Sequence, residues 1–220
     1  MVSNSSDGPR RPKPPVLDTV VLHAFGFGHP DGIETLLRVL QTEQARFPAE
    51  VYNGDEDDRP LDAEGEDLSE LARGLRYARR QVRSRPPAEG ERYRRWIEHA
   101  AQIEEHLKAG SLTIDPLQVG ELPDREALID DYGIGRGEAA CLVLAQRYGA
   151  TAVFVSSDEE ACQVAENIGV PQITIPEVLE AWVSVFCPSV ADFDDMVEGL
   201  RHAKFDPGEA FSASLRERLR

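Results

Sequence analysis

The chain has 220 residues, 41% of them hydrophobic, and a formal net charge of −16 from 40 acidic and 24 basic residues. This is enough apolar material for one sizeable core, and the acidic excess opposes long-range attraction of nucleic acid, so any phosphate contact has to come from a local cluster. Cys141, Cys162 and Cys187 lie far apart without paired spacing, which argues against a disulfide framework or a zinc site, and no apolar run approaches the ~18 residues of a membrane span.

Residues 1–14, rich in Ser, Pro and Arg, lack the apolar stretch of a secretory leader and are expected to be a disordered tail, with a cytoplasmic location and no membrane contact. Residues 15–220 are expected to form a single domain. "PVLDTVVLHAF" (15–25) is apolar and β-branched and reads as a buried strand interrupted by Asp18. "DGIETLLRVLQTEQ" (31–44) has helical spacing with Asp31 as N-cap, and "ARFPAEVYNG" (45–54) reads as a short extended segment turning into a helix. A helical insertion over about 54–110 follows: an acidic loop, then helices over 66–84 and 90–109 separated by "RPP". "SLTI" reads as a short strand and "DREALIDDY" as a short helix, followed by a helix over 137–148. "TAVFVSS" reads as a buried strand, "DEEACQVAENIG" as a helix closed by Gly169, and "QITI" as the last strand. Helices over 176–186, 191–204 and about 208–219 complete the chain.

Strands alternating with helices, several of them apolar throughout, predict an α/β fold with a parallel sheet covered on both faces, an α/β/α sandwich. Such sheets build their sites beyond the carboxyl ends of their strands. Asp18, Glu50, Glu138 and Asp158 each sit at a position where this architecture would gather them. Two unit charges ~5 Å apart repel by roughly 3 kcal/mol at an effective dielectric of about 20. A gathered set therefore either takes up protons or binds a cation, and all-oxygen ligation suits Mg²⁺ or Mn²⁺. Taken singly, each acid also has an ordinary use: Asp18 as a strand-end or turn residue, Glu138 and Glu50 as helix-start charges, Asp158 as an N-cap.

"VLDTVVL", "PAEVYNG", "GRGEAACLVLA" and "VFVSSDEEACQVAENIGV" follow the order and approximate spacing of the motifs of PIN-domain nucleases, which the chain resembles over about residues 15–215. The second motif is similar to an element of VapC-type toxins. The third and fourth are more similar to a PIN branch in which Glu replaces the third Asp. The resemblance implies a Mg²⁺- or Mn²⁺-dependent endoribonuclease with metal-binding acids Asp18, Glu50, Glu138 and Asp158, leaving 3′-hydroxyl and 5′-phosphate ends. It also implies an RNA substrate, frequent dimer formation, and often a place as the toxin of a toxin–antitoxin pair. Val20 stands where the family usually has Asn, and the fourth acid aligns with either Ser157 or the adjacent Asp158 and Glu159. A catalytically degenerate PIN-like module that binds RNA or a protein is the other reading these residues allow.

Nine arginines fall between Arg73 and Arg95. Arg76, Arg79, Arg80 and Arg83 on the first insertion helix, and Arg136 between glycines beside Glu138, are the candidate RNA contacts. Tyr77, Tyr93 and Trp96 among them could stack on unpaired bases or belong to the core. Only three lysines accompany the many acids, a composition resembling that of proteins from salt-accumulating organisms. The "GIGRG" run does not follow a strand, and no GK[ST] occurs, so neither a dinucleotide fingerprint nor a P-loop is indicated.

Overall fold

A computed structural model describes residues 15–54 and 69–220. The expected tail at 1–14 and the acidic part of the insertion, 55–68, lie outside the described residues. Five parallel strands form one sheet in the order β3-β2-β1-β4-β5: β1 (Val16–Leu17), β2 (Ala45–Phe47), β3 (Leu112–Ile114), β4 (Phe154–Val155) and β5 (Gln172–Ile173). The α/β sandwich read from the sequence is the observed architecture. Val16 pairs with Arg46 on one side and Phe154 on the other, and both β1 residues and both β4 residues are fully buried.

The chain runs outward from β1 to β3 through α1 (Thr19–Gly28), α2 (Gly32–Val39), α3 (Glu70–Ser84) and α4 (Pro87–Ala109). It then crosses back to β4 and β5 through α5 (Leu122–Tyr132), α6 (Arg136–Tyr148) and α7 (Glu159–Asn167). Because parallel crossovers are right-handed, this reversal puts the two sets of helices on opposite faces and creates a switch point between β1 and β4. The last helices, α8 (Ile175–Ala181, continued by a π-helical turn over Trp182–Phe186), α9 (Val190–His202) and α10 (Glu209–Arg218), bring α8 against α2 and α9 against α1.

Three segments differ from their sequence reading. The run read as a strand over 15–25 is a strand only at Val16–Leu17, and from Thr19 it is the helix α1. Its helix is apolar nearly all round, because it is packed by α2, α3, α4 and α9, and a helix buried on all sides has no polar face to mark its period. The segment after Phe47 turns without becoming a helix, so "VYNG" leads to the insertion as an irregular link. Strand β4 is also shorter than read, since 149–151 form a 3₁₀ turn.

Helix α1 meets α9 at Gly28 and Gly199, where a Cβ on Gly199 would stand 2.4 Å from the Gly28 carbonyl oxygen. The two backbones therefore touch directly, and a methyl group cannot be accommodated without separating the helices. Gly199→Ala is expected to lower stability by about 2–3 kcal/mol, read as a fall in the urea midpoint at unchanged m. Helix α4 is held to the α1–α2 turn by Gln102, which is buried. Its amide nitrogen donates to the carbonyls of Gly26, His29 and His99, and its oxygen accepts from the Ile33 N–H.

Candidate metal centre

The switch point between β1 and β4 is where the carboxylates meet. Asp18 follows β1 directly and is only 2% exposed. It stands at the N-cap of α1, where its Oδ1 accepts from the Thr19 N–H at 2.6 Å, while its Oδ2 accepts from the Ser156 hydroxyl at 2.7 Å. Ser156 follows β4, is fully buried, and its Oγ also accepts from the Asp158 N–H at 3.1 Å. One hydroxyl thus ties the loop after β1 to the loop after β4. Asp158 in turn caps α7, accepting from the Ala161 N–H at 2.9 Å.

Glu138 lies on the first turn of α6, and its carboxylate accepts from the Gly135 N–H at 2.7 Å. The helix-start role is real, yet the same group also faces other acids. Burial pushes the Glu138 carboxyl up, the Gly135 N–H opposes this, and Asp158, Glu70 and Glu160 push it further up. Asp18 is driven to about 7, chiefly by burial; the Ser156 and Thr19 hydrogen bonds oppose the rise, while Glu138 and Glu70 add to it. Three acids from two segments, Glu70 on α3 and Asp158 and Glu160 at the start of α7, therefore interact with Glu138, and two with Asp18.

Glu70 was not among the sequence candidates. It opens α3, accepts from the Thr19 hydroxyl, and packs on Gly137, where a Cβ would stand 2.8 Å from its Oε1. The signal was present: Glu70-Leu71-x-x-Gly74 repeats the spacing of Glu50-Val51-x-x-Gly54, with Ser69 as an N-cap in front of it. Two of the three glycines of "GIGRGE" are explained at the same time. Gly133 closes α5 with φ 73°, a left-handed conformation, and Gly137 leaves room for the Glu70 carboxylate.

Glu50 has a different partner. Its Oε1 accepts from Arg125 at 2.5 Å, and Arg125, buried on α5, also pairs with Glu126. Glu50 still lies near the group, since it adds to the field that raises the Cys141 thiol together with Asp18, Glu70 and Glu138. Ser157 is turned to α8, its hydroxyl accepting from the Ile175 N–H at 2.7 Å. Of the acids the fourth motif offers, Asp158 is the one whose N–H donates to Ser156. Val20 is half-buried and packs against the core.

Arg136 is exposed at the first position of α6, two residues from Glu138. On α3, Arg76 and Arg79 are half-buried, whereas Arg80 and Arg83 are exposed. Among the described residues, no Arg, Lys or His forms an ion pair with Asp18, Glu70, Glu138 or Asp158.

The donor set is therefore four carboxylates with no basic counterion among the described residues, which in charge and hardness suits Mg²⁺ or Mn²⁺. In the structure these carboxylates hold backbone and side-chain hydrogen bonds, and among the described residues no three His, Cys, Asp or Glu side chains are arranged to hold a metal ion.

No protein-family model, curated protein or solved structure matches the chain. The molecule is an α/β/α sandwich with an acidic cluster at its switch point. Among the described residues no helix is long and apolar enough to cross a membrane.

Proposed function

We propose that this protein is a metal-dependent endoribonuclease of PIN type, with Asp18, Glu138, Glu70 and Asp158 as the acids of its site. The observation that carries the reading is the buried Asp18, which has no cationic partner among the described residues and is held at about 7 while Glu138 and Glu70 face it. A group so costly to ionise, at the position where parallel sheets place their chemistry, is accounted for by a cation that takes the place of its proton. A bound Mg²⁺ or Mn²⁺ would supply an activated water and charge stabilisation for phosphodiester hydrolysis.

The chain's own groups have separable parts. Asp18, once deprotonated, would be a ligand to the cation, and Ser156 keeps its carboxylate aimed while holding the Asp158 loop in register. Glu138 and Glu70 complete the negative field from the two helix starts. Arg136, exposed and next to Glu138, is placed to contact a phosphate of the substrate. A role as the toxin of a toxin–antitoxin pair belongs to the same proposal, and a small adjacent gene whose product silences the activity would support it.

Mn²⁺ titration by calorimetry, followed by cleavage of single-stranded RNA in Mn²⁺ and in EDTA, tests the reading. Ligands that must lose protons bind metal more tightly as pH rises, so Mn²⁺ affinity is expected to increase between pH 6 and 8 with proton release. The second reading is a catalytically silent module of the same fold that binds RNA or a protein partner. Absence of Mn²⁺ binding and of cleavage would select it.

A further inference from the structure

We propose that Tyr77 is a base-stacking residue for single-stranded RNA, and that the exposed stripe of α3 from Glu70 to Arg80 is the path of the strand into the site. The approach to the acids rests on the ribonuclease reading, whereas the stacking does not.

Glu70, Arg73, Tyr77 and Arg80 recur at helical spacing and so share one side of α3. Glu70 meets Thr19 at the acidic cluster, and Tyr77 lies two turns along, about 10 Å at 1.5 Å per residue. Tyr77 is 44% exposed, one of few large apolar side chains left in solvent among the described residues. Arg73 and Arg80 flank it and are exposed, and among the described residues neither is in an ion pair.

Tyr77 is exposed but fixed. Its ring meets Tyr93 edge-on at 5.8 Å, and Tyr93 meets Trp96 edge-on at 5.2 Å. The Tyr77 and Tyr93 hydroxyls are hydrogen-bonded, and Arg92 donates to the Tyr93 hydroxyl at 2.6 Å. The Lys204 ammonium lies 5.8 Å from the centroids of both Tyr77 and Trp96. Tyr93 and Trp96 are thus the buried support of the ring, and Tyr77 is its exposed surface.

A held aromatic face ringed by cations, in a chain of net charge −16, matches the chemistry of an unpaired nucleotide. The ring accepts any base by its π-face, and neighbouring arginines take the phosphates. A duplex hides its base faces and cannot use the ring. An acidic peptide could use the arginines, but it has no need of an aromatic plane, so RNA is the better match.

Fluorescence anisotropy with a labelled oligoribonucleotide of about ten nucleotides, within the usual site size of such platforms, tests this in EDTA with the full chain. The wild type is expected to prefer the single strand to the same RNA annealed to its complement. Tyr77→Ala should bind about tenfold more weakly, Tyr77→Phe nearly as well as wild type, and Arg73→Gln or Arg80→Gln with a shallower salt dependence.

An abasic residue moved along the RNA should weaken wild-type binding at one position and have no such effect on Tyr77→Ala; this measurement needs no fold change in the protein. Equal binding by wild type and Tyr77→Ala, equal binding of duplex, or an abasic series without a sensitive position would overturn the inference. Tyr77-dependent binding without Mn²⁺-dependent cleavage would support it and remove the ribonuclease reading instead. No RNA binding at all would overturn it and leave the arginines to an acidic protein.

Discussion

Asp18→Asn is expected to make the metal-free protein more stable at pH 8 while weakening the proposed Mn²⁺ binding at least ~100-fold. In the folded chain Asp18 titrates at about 7 against an ordinary value of 3.8. Between those values the folded state keeps a proton that the unfolded state has lost. Stability therefore falls as pH rises through this window, by roughly 4 kcal/mol in all. Below pH 4 both states are protonated and the penalty is absent; above pH 8 it is fully present.

Asparagine cannot ionise, keeps an oxygen for the Thr19 N–H, and fills the same volume. Its melting temperature at pH 8 should exceed that of metal-free wild type by roughly 5–10 °C, and its stability should lose most of the decline between pH 4 and 7. In the same variant Mn²⁺ affinity should drop by at least ~100-fold, and cleavage with it. A gain in stability coupled to loss of binding is the pattern of a residue retained for function against its cost to the fold. A variant that bound Mn²⁺ as wild type does would show that the charge at Asp18 serves no cation.

The second large effect separates two glutamates that the sequence makes look alike. Glu70→Gln removes a charge facing Asp18 and Glu138 and is expected to weaken Mn²⁺ binding by about 10–100-fold, with little change in stability. Glu50→Ala leaves the buried Arg125 with only Glu126. It should lower stability by about 3 kcal/mol and leave Mn²⁺ affinity near that of wild type. Urea denaturation and calorimetry on both variants decide the matter. The opposite pattern would return the ligand role to Glu50 and make Glu70 a helix-start charge.

Much of the architecture was legible because its signals are local. The apolar runs at β1 and β4, the Pro86–Pro87 break between α3 and α4, and the glycine stops after α4, α5 and α7 all act within a few residues. Helix α1 was not legible. Its period is hidden where neighbours cover every side, and only the Asp18 cap marks its start. The placement of Glu70 was hidden for another reason. Its spacing to Gly74 duplicates that of Glu50 to Gly54, and only the partner found by each carboxylate, Thr19 or Arg125, tells the two apart.

By itself, then, the sequence determined the α/β alternation and the parallel sheet, and it put Asp18 and Asp158 just past strand ends and Glu138 at a helix start. Each of these follows from hydrophobic period, caps and strand ends, which depend on neighbours in the chain. The tertiary structure alone decided which glutamate joins Asp18, that Ser156 links the loops after β1 and β4, and that Tyr93 and Trp96 are core while Tyr77 remains on the surface. Those outcomes depend on contacts between residues many positions apart, on the burial that raises Asp18, and on the packing that turns one side chain inward and its neighbour out.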